Sequence, residues 1–213
     1  MVTRPIVVVG AGGHAKVVID ALLAAGREVI GCTDVDASRH GQSVLGVPVI
    51  GNDDALRQHA LDAIDVVVGV GGTRGEPLRR VMHERLRAQG WRLATVIHPS
   101  STIARGAAVG VGAQILARAV VQADAQVGEG SIVNTGAIIE HDVRLGDFCH
   151  VAPGALLCGR VQAGAGVHVG AGAIVLQNLS LGAGMVVGAG ALVTRSFDDG
   201  LTVTGVPARI ARG

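Results

Sequence analysis

The chain has 213 residues, enough for one large or two small domains, and its formal net charge is only +1, which removes the electrostatic footprint of a nucleic-acid binder. Two Phe, one Trp and no Tyr leave no stacking platform for single-stranded nucleic acid. Cys32, Cys149 and Cys158 show no CxxC, zinc or disulfide spacing, and the apolar run near the N-terminus is too short for a signal peptide, so the expectation is a reducing, cytoplasmic setting with no metal.

The first 95 residues read as alternating strands and helices. Ile6–Val9 is a short apolar run, hence a buried strand. Gly10-Ala-Gly-Gly-His14 follows, and Ala15–Ala25 has helical spacing (Val18, Leu22, Ala25) that stops at Gly26. Arg27–Thr33 is a second strand ending at Asp34. A loop with Val47-Pro48-Val49 precedes a helix over Asp54–Ala60. Asp65–Val70 is another buried strand leading into Gly71-Gly72. Pro77–Gln89 is a helix with Pro in its first turn, and Leu93–Ile97 is a last strand. The pattern predicts a small parallel α/β, Rossmann-like half domain over residues 1–96.

From Ile97 to Val193 an aliphatic residue recurs every six positions; sixteen of seventeen are Ile, Leu or Val, with Ala163 the exception. The next position is often Gly (Gly110, Gly128, Gly146, Gly164), and the fifth is mostly small (Ala107, Ala113, Ala119, Ser131). A period of six is neither helical nor that of a meander; it is the signature of a hexapeptide parallel β-helix. Three hexads make an 18-residue coil, so residues 97–195 predict a left-handed triangular prism of roughly five coils, an exception to the right-handed crossover rule. Residues 161–194 lack Asp, Glu, Lys and Arg, but their Gly residues and His168 keep step with the hexad, so the β-helix reading excludes a membrane span. The tail, 196–213, leaves the period and reads as a turn-plus-strand cap.

Three groups of residues could carry chemistry. Gly10-Ala-Gly-Gly-His14, between strand and helix with Asp34 ending the next strand, can hold a phosphate on backbone N–H groups. The small domain favours a nucleotide-sugar diphosphate over NAD; the alternative is a tight turn without a ligand. His141 and Asp142 stand near a corner of the prism, where an imidazole is a natural base for an ammonium nucleophile and a carboxylate would fix its tautomer. Adjacent strand residues point to opposite faces, so Asp142 reaches His141 only if the chain turns there. A covalent acyl-enzyme on Cys149 is disfavoured, because fifth positions are buried and buried thiols are inert.

Asn134-Thr-Gly-Ala-Ile-Ile-Glu-His141-Asp, Gly146-Asp-Phe-Cys-His150-Val, Val175-Leu-Gln-Asn178-Leu-Ser-Leu-Gly182 and Gly205-Val-Pro-Ala-Arg209, with the amino-terminal Val-Val-Gly-Ala-Gly-Gly-His-Ala-Lys, resemble the sialic-acid O-acetyltransferase-like, hexapeptide-repeat sugar acetyltransferases. The resemblance spans the whole chain. It implies a homotrimer with active sites between neighbouring β-helices and acetyl-CoA as co-substrate. It implies His141 as general base with Asp142 raising its basicity, where the bacillosamine-type relatives have Glu. His150 is implied to contact the acetyl-CoA carbonyl region, and Gly159, Ala171 and Ala189 to lie along the pantetheine arm, Ala189 in place of a family Gly. Asn134 is implied to touch the sugar, and Gly12, Gly13, His14, Asp34, Asp36 and Gly71 to bind the nucleotide.

The resulting expectation is direct N-acetylation of the C4 amine of a nucleotide-linked 4-amino-4,6-dideoxy sugar, GDP-perosamine first because its site also reads His-Asp. The alternatives are a UDP-linked 4-amino sugar, O-acetylation of a sialic-acid-like sugar on the same scaffold, a non-catalytic nucleotide-sugar scaffold, and an NAD-dependent enzyme.

Overall fold

The computed structural model of the chain describes residues 4–72 and 77–211. These form two units, one of residues 4–71 and 77–99, the other of Gly72 and residues 100–211.

In the first unit, Ile6–Val9 is the central strand of a parallel sheet, flanked by Val29–Thr33 and Asp65–Val68. All four residues of the central strand are fully buried, as the β-branched run of a sheet covered on both faces requires. Helix Gly13–Ala24 buries Ala15, Val18, Ile19, Ala21 and Leu22 and ends where Gly26 takes φ 67°, the left-handed stop that glycine adopts freely. It starts two residues before the apolar spacing predicts, because its first turn (Gly13, His14) adds nothing to the apolar period. The helix expected over Asp54–Ala60 is instead a six-residue 3-10 turn, Asp53–Gln58, whose Asn52 Oδ1 accepts from the Asp54 N–H at 3.0 Å. Helix Pro77–Ala88 agrees with the spacing. The last predicted strand shortens to Val96–Ile97, with Leu93 bridging to Val66. Asp65, only 3% exposed, meets Arg92 Nε at 2.9 Å and Arg27 Nη2 at 3.5 Å, so this buried charge is compensated.

The second unit is a left-handed parallel β-helix. Its first face stacks six two-residue strands: Thr102–Ile103, Val120–Val121, Ile138–Ile139, Leu156–Leu157, Ile174–Val175 and Leu192–Val193. The second stacks five, from Ala108–Val109 through Gln126–Val127, Arg144–Leu145 and Gln162–Ala163 to Ser180–Leu181. The third carries Gln114–Ile115, Ile132–Val133, His150–Val151, His168–Val169 and Val186–Val187, and then Thr202–Thr204. Register is 18 residues between the two-residue strands, Ile138 pairing with Leu156 and His150 with His168, and shortens to 16 where Val186 pairs with Thr202 at the end of the stack. The ladder donors follow it, as in Ile138 N–H to Ala155 O at 2.9 Å. Hexad positions such as Ile139, Leu157 and Val175, and fifth positions such as Ala137, Ala155 and Ala173, are fully buried. Arg209–Ile210 turns back antiparallel on Thr202–Thr204 and closes the end of the stack.

Coils this close leave no room for side chains at one glycine column: a Cβ on Gly128 would come within 2.5 Å of the Gly146 backbone, and one on Gly146 within 2.7 Å of Ala165 N. The corners turn through the left-handed region. Two corners use mainly glycine there (Gly112, Gly130, Gly136, Gly154), but the corner joining the first face to the second uses Asp124, Asp142, Arg160 and Asn178 at φ 59–62°. Asp and Asn tolerate that conformation best among residues with a Cβ, whereas an Arg there marks a constrained position.

Candidate active site

In the first unit, the strand–helix turn and the ends of the sheet enclose a cavity of ≈ 520 Å³, lined among others by Gly12, Gly13, His14, Asp34, Gly71 and Met82. The helix begins at Gly13 with Gly12 as N-cap and no side-chain cap bond, so the positive end of its dipole faces this turn and favours an anion there. Gly71 packs against the imidazole: a Cβ there would stand 3.1 Å from His14 Cγ. Asp34 lines the cavity, but its carboxylate is engaged, Oδ2 by Arg39 Nη1 at 2.7 Å and Oδ1 by the Asp36 N–H at 3.0 Å. Arg39 also donates to Ala11 O at 2.7 Å, tying the glycine turn to Asp34. Asp36 is not among the cavity's lining residues; it caps the turn Ala37–Arg39, accepting from the Ser38 N–H and hydroxyl, and those bonds hold its carboxyl below the usual range. Sequence reading missed Asp53, which lines the cavity, accepts from Thr33 Oγ1 at 2.7 Å and pairs with Arg85. No local spacing signals it, since its partners lie 20 and 32 residues away.

In the second unit, the corner after Ile138–Ile139 holds His141 and Asp142. The left-handed turn at Asp142 brings its carboxylate round, and Oδ2 meets His141 Nδ1 at 2.9 Å. A carboxylate can only accept, so Nδ1 carries the proton and Nε2 presents its lone pair. The hydrogen bond from His141 holds the Asp142 carboxyl below the usual carboxylate range, with Arg160 and Arg144 adding smaller effects. A lowered carboxyl keeps its interaction above that value and loses it only as pH falls through it, so the orienting bond persists through the mildly acidic range. Nε2 stands over the next coil: a Cβ on Gly159 would come within 2.6 Å of it. Glycine at 159 is what lets the ring occupy this place. The corner itself is pinned by Arg160 N–H to His141 O at 3.0 Å.

The imidazole opens on a cleft of ≈ 440 Å³ lined by Glu140, Leu156, Cys158, Gly159, Arg160, Gln177 and Asn178. Burial pushes the Cys158 thiol up, and the Glu140 charge pushes it further, which keeps it protonated and a poor nucleophile. Cys149 is fully buried. Among the described residues, no group of three or more His, Cys, Asp or Glu side chains is placed to hold a metal ion.

The other residues singled out for the cofactor and sugar lie elsewhere on the prism. Asn134, Ala171 and Ala189 are on the corner joining the third face to the first, and His150 is on the third face itself. His150 donates through Nδ1 to Gly72 O at 2.7 Å, which leaves Nε2 to accept from Asn134 Nδ2 at 3.1 Å. Asn134 Oδ1 accepts from the Thr135 N–H at 2.8 Å, fixing the amide's orientation, and the His150 ring stands edge-on to His168 at 5.0 Å. Within one chain, therefore, the structure joins His141, Asp142 and Gly159 but not Asn134, His150, Ala171 or Ala189, which stand beyond the first face.

A family model of the PglD N-terminal domain matches residues 5–97. Among solved structures, the chain is 37% identical to the H141N mutant of perosamine N-acetyltransferase from Caulobacter crescentus, in complex with CoA and GDP-perosamine, with 98% of this chain and 97% of that one covered and a TM-score of 0.90. It is 38% identical to the acetyltransferase domain of PglB from Neisseria gonorrhoeae FA1090 in complex with acetyl coenzyme A, over 98% and 100% of the two chains, with a TM-score of 0.90. WeeI from Acinetobacter baumannii AYE is 26% identical over 98% and 100%, with a TM-score of 0.87. No curated protein matches. Such identity over nearly the full length, on a hexapeptide β-helix with an oriented histidine at its corner, shows that the chain belongs to the hexapeptide-repeat sugar acetyltransferase family.

Proposed function

We propose that the protein transfers the acetyl group of acetyl-CoA to the C4 amine of a nucleotide-linked 4-amino-4,6-dideoxy sugar, with GDP-perosamine as the first candidate. The observation that carries this reading is the His141–Asp142 pair, with its proton on Nδ1 and its basic nitrogen facing the cleft. The relatives complexed with CoA and GDP-perosamine, and with acetyl coenzyme A, support the choice of both substrates, and the cavity at the start of helix Gly13–Ala24 supports a diphosphate.

The chemistry follows from the geometry. The neutral amine attacks the thioester carbonyl carbon while His141 Nε2 takes a proton from nitrogen. The carbon–sulfur bond breaks, CoA leaves as the thiolate, and the imidazolium returns the proton to it. Asp142 stabilises the imidazolium and keeps the ring in one tautomer. Holding both substrates in one cleft supplies proximity.

The working assembly in this reading is a homotrimer. The outward residues of the first face, Val120, Ile138, Leu156, Ile174 and Leu192, form an apolar stripe, against Gln126, Arg144, Gln162 and Ser180 on the second. That stripe separates the His141 corner from the Asn134, Ala171 and Ala189 corner. Packing the stripe on a neighbouring copy would bury it and set one copy's base beside the other copy's corner.

Three measurements test the reading. CoA release from acetyl-CoA is followed against GDP-, UDP- and dTDP-linked 4-amino sugars; rapid release with one of them, and an amide at C4 by NMR, is expected, and release only with a hydroxyl acceptor contradicts N-acetylation. Gly159→Ala forces the His141 ring aside, so turnover falls by about 10²-fold or more while circular dichroism and the thermal midpoint stay near wild type; full activity contradicts the placement of the base. Ile138→Arg puts a charge in the apolar stripe, and light scattering is expected to read a monomer in place of a trimer.

A further inference from the structure

The cleft beside His141 contains a second carboxylate for which the mechanism has no use. Glu140 lines it, and its Oε2 lies 3.4 Å from the His141 backbone N–H, at the foot of the base. Asp142, the other carboxylate at this corner, spends its charge on His141 and on Arg160, whose Nε is 3.7 Å away. Glu140 has no ion-pair partner among the described residues. Of the charged groups lining the cleft, Arg160 thus faces Asp142, and Glu140 is left as the uncompensated one. Its field reaches across to the next coil, where it adds to the upward push on the Cys158 thiol.

A half-buried carboxylate without an ion-pair partner, at the edge of a cleft that opens beside the imidazole, is a docking point for a cation. An aliphatic amine is such a cation near neutral pH, where it is mostly protonated; a sugar hydroxyl is not. We infer that Glu140 recognises the acceptor as an ammonium ion, docking the C4 nitrogen beside His141 Nε2 before the proton is removed and selecting amine over hydroxyl acceptors. The order of events is then binding of R–NH₃⁺ against Glu140, passage of one proton through His141 to solvent, and attack by the neutral amine while His141, neutral again, takes the second proton and returns it to the departing CoA thiolate. This rests on the N-acetyltransferase reading above and assigns that reading's acceptor specificity to one side chain.

The test compares wild type, Glu140→Gln and Glu140→Asp on GDP-perosamine, with the analogue bearing hydroxyl at C4 as a neutral inhibitor. Glutamine keeps the acceptor oxygen for the His141 N–H and removes only the charge. The expected result is a rise of about tenfold in KM for the amine, the size of one charge contact in a partly shielded cleft, with the effect on KM rather than kcat. Inhibition by the hydroxyl analogue is unchanged, and Glu140→Asp recovers part of the loss. The wild-type KM also rises with ionic strength, and that of Glu140→Gln rises less, by the part that one charge contact contributes. A wild type that turns over the amine with the same KM and salt dependence as Glu140→Gln overturns the role of Glu140 and leaves the N-acetyltransferase reading standing. A wild type that binds no amine by calorimetry and acetylates the hydroxyl analogue overturns both.

Discussion

The closure of each coil on 18 residues is the constraint from which the rest of the second unit follows. Two-residue strands are far too short to persist alone; they survive because each N–H and C=O finds its partner on the coil above or below and because every sixth side chain drops into one continuous interior. The same closure puts residue i over residue i+18. His141 must therefore stand over Gly159 and His150 over His168, and the space for the His141 ring is made by a glycine one coil away.

The corners are where this regular object becomes chemical. A left-handed residue is needed at every turn, and at most turns glycine meets the need with no side chain to spare. The corner between first and second faces gives up that ease and places Asp124, Asp142, Arg160 and Asn178 in a conformation that disfavours a Cβ. What is gained is a column of polar side chains beside a cleft, with one carboxylate turned back onto its own neighbour's imidazole. Local strain and function coincide here because the backbone angle at Asp142 is what aims the carboxylate at Nδ1.

The solenoid was legible because its period is global: the identity of seventeen aliphatic positions outweighs any local ambiguity. The oriented pair was only half legible. His141 and Asp142 are adjacent, and alternation along a strand would send them apart; what unites them is a φ of 60°, which residue type permits but does not announce. The cavity of the first unit shows the converse. Glycines and Asp34 could be read from the strand–turn–helix pattern, but Asp53 and Thr33 meet from separate segments, and Asp36, which looked like a second ligand, serves the backbone of its own turn. Short-range pattern reports turns and caps well, and says little about which distant side chains share a cavity. Glu140 was passed over for a related reason: a carboxylate in a hexad reads as a solvated corner until its place in a cleft, with no ion-pair partner among the described residues, is known.

The distribution of the remaining residues has a single physical logic. One corner holds the His141–Asp142 pair and a cleft, another holds Asn134 with His150 locked to it, and a strip of half-buried aliphatic side chains, with Ile174 exposed, runs between. In the proposed homotrimer a neighbouring copy would cover this strip and bring together parts that one chain keeps separate. The central claim remains that His141 takes the proton. Steady-state acetyl transfer by His141→Asn, which keeps a polar donor for Asp142 at the corner while removing the basic nitrogen, tests it most directly: the account predicts a fall in kcat of about 10²–10⁴-fold with acceptor binding and assembly intact, and a variant with wild-type kcat would contradict it.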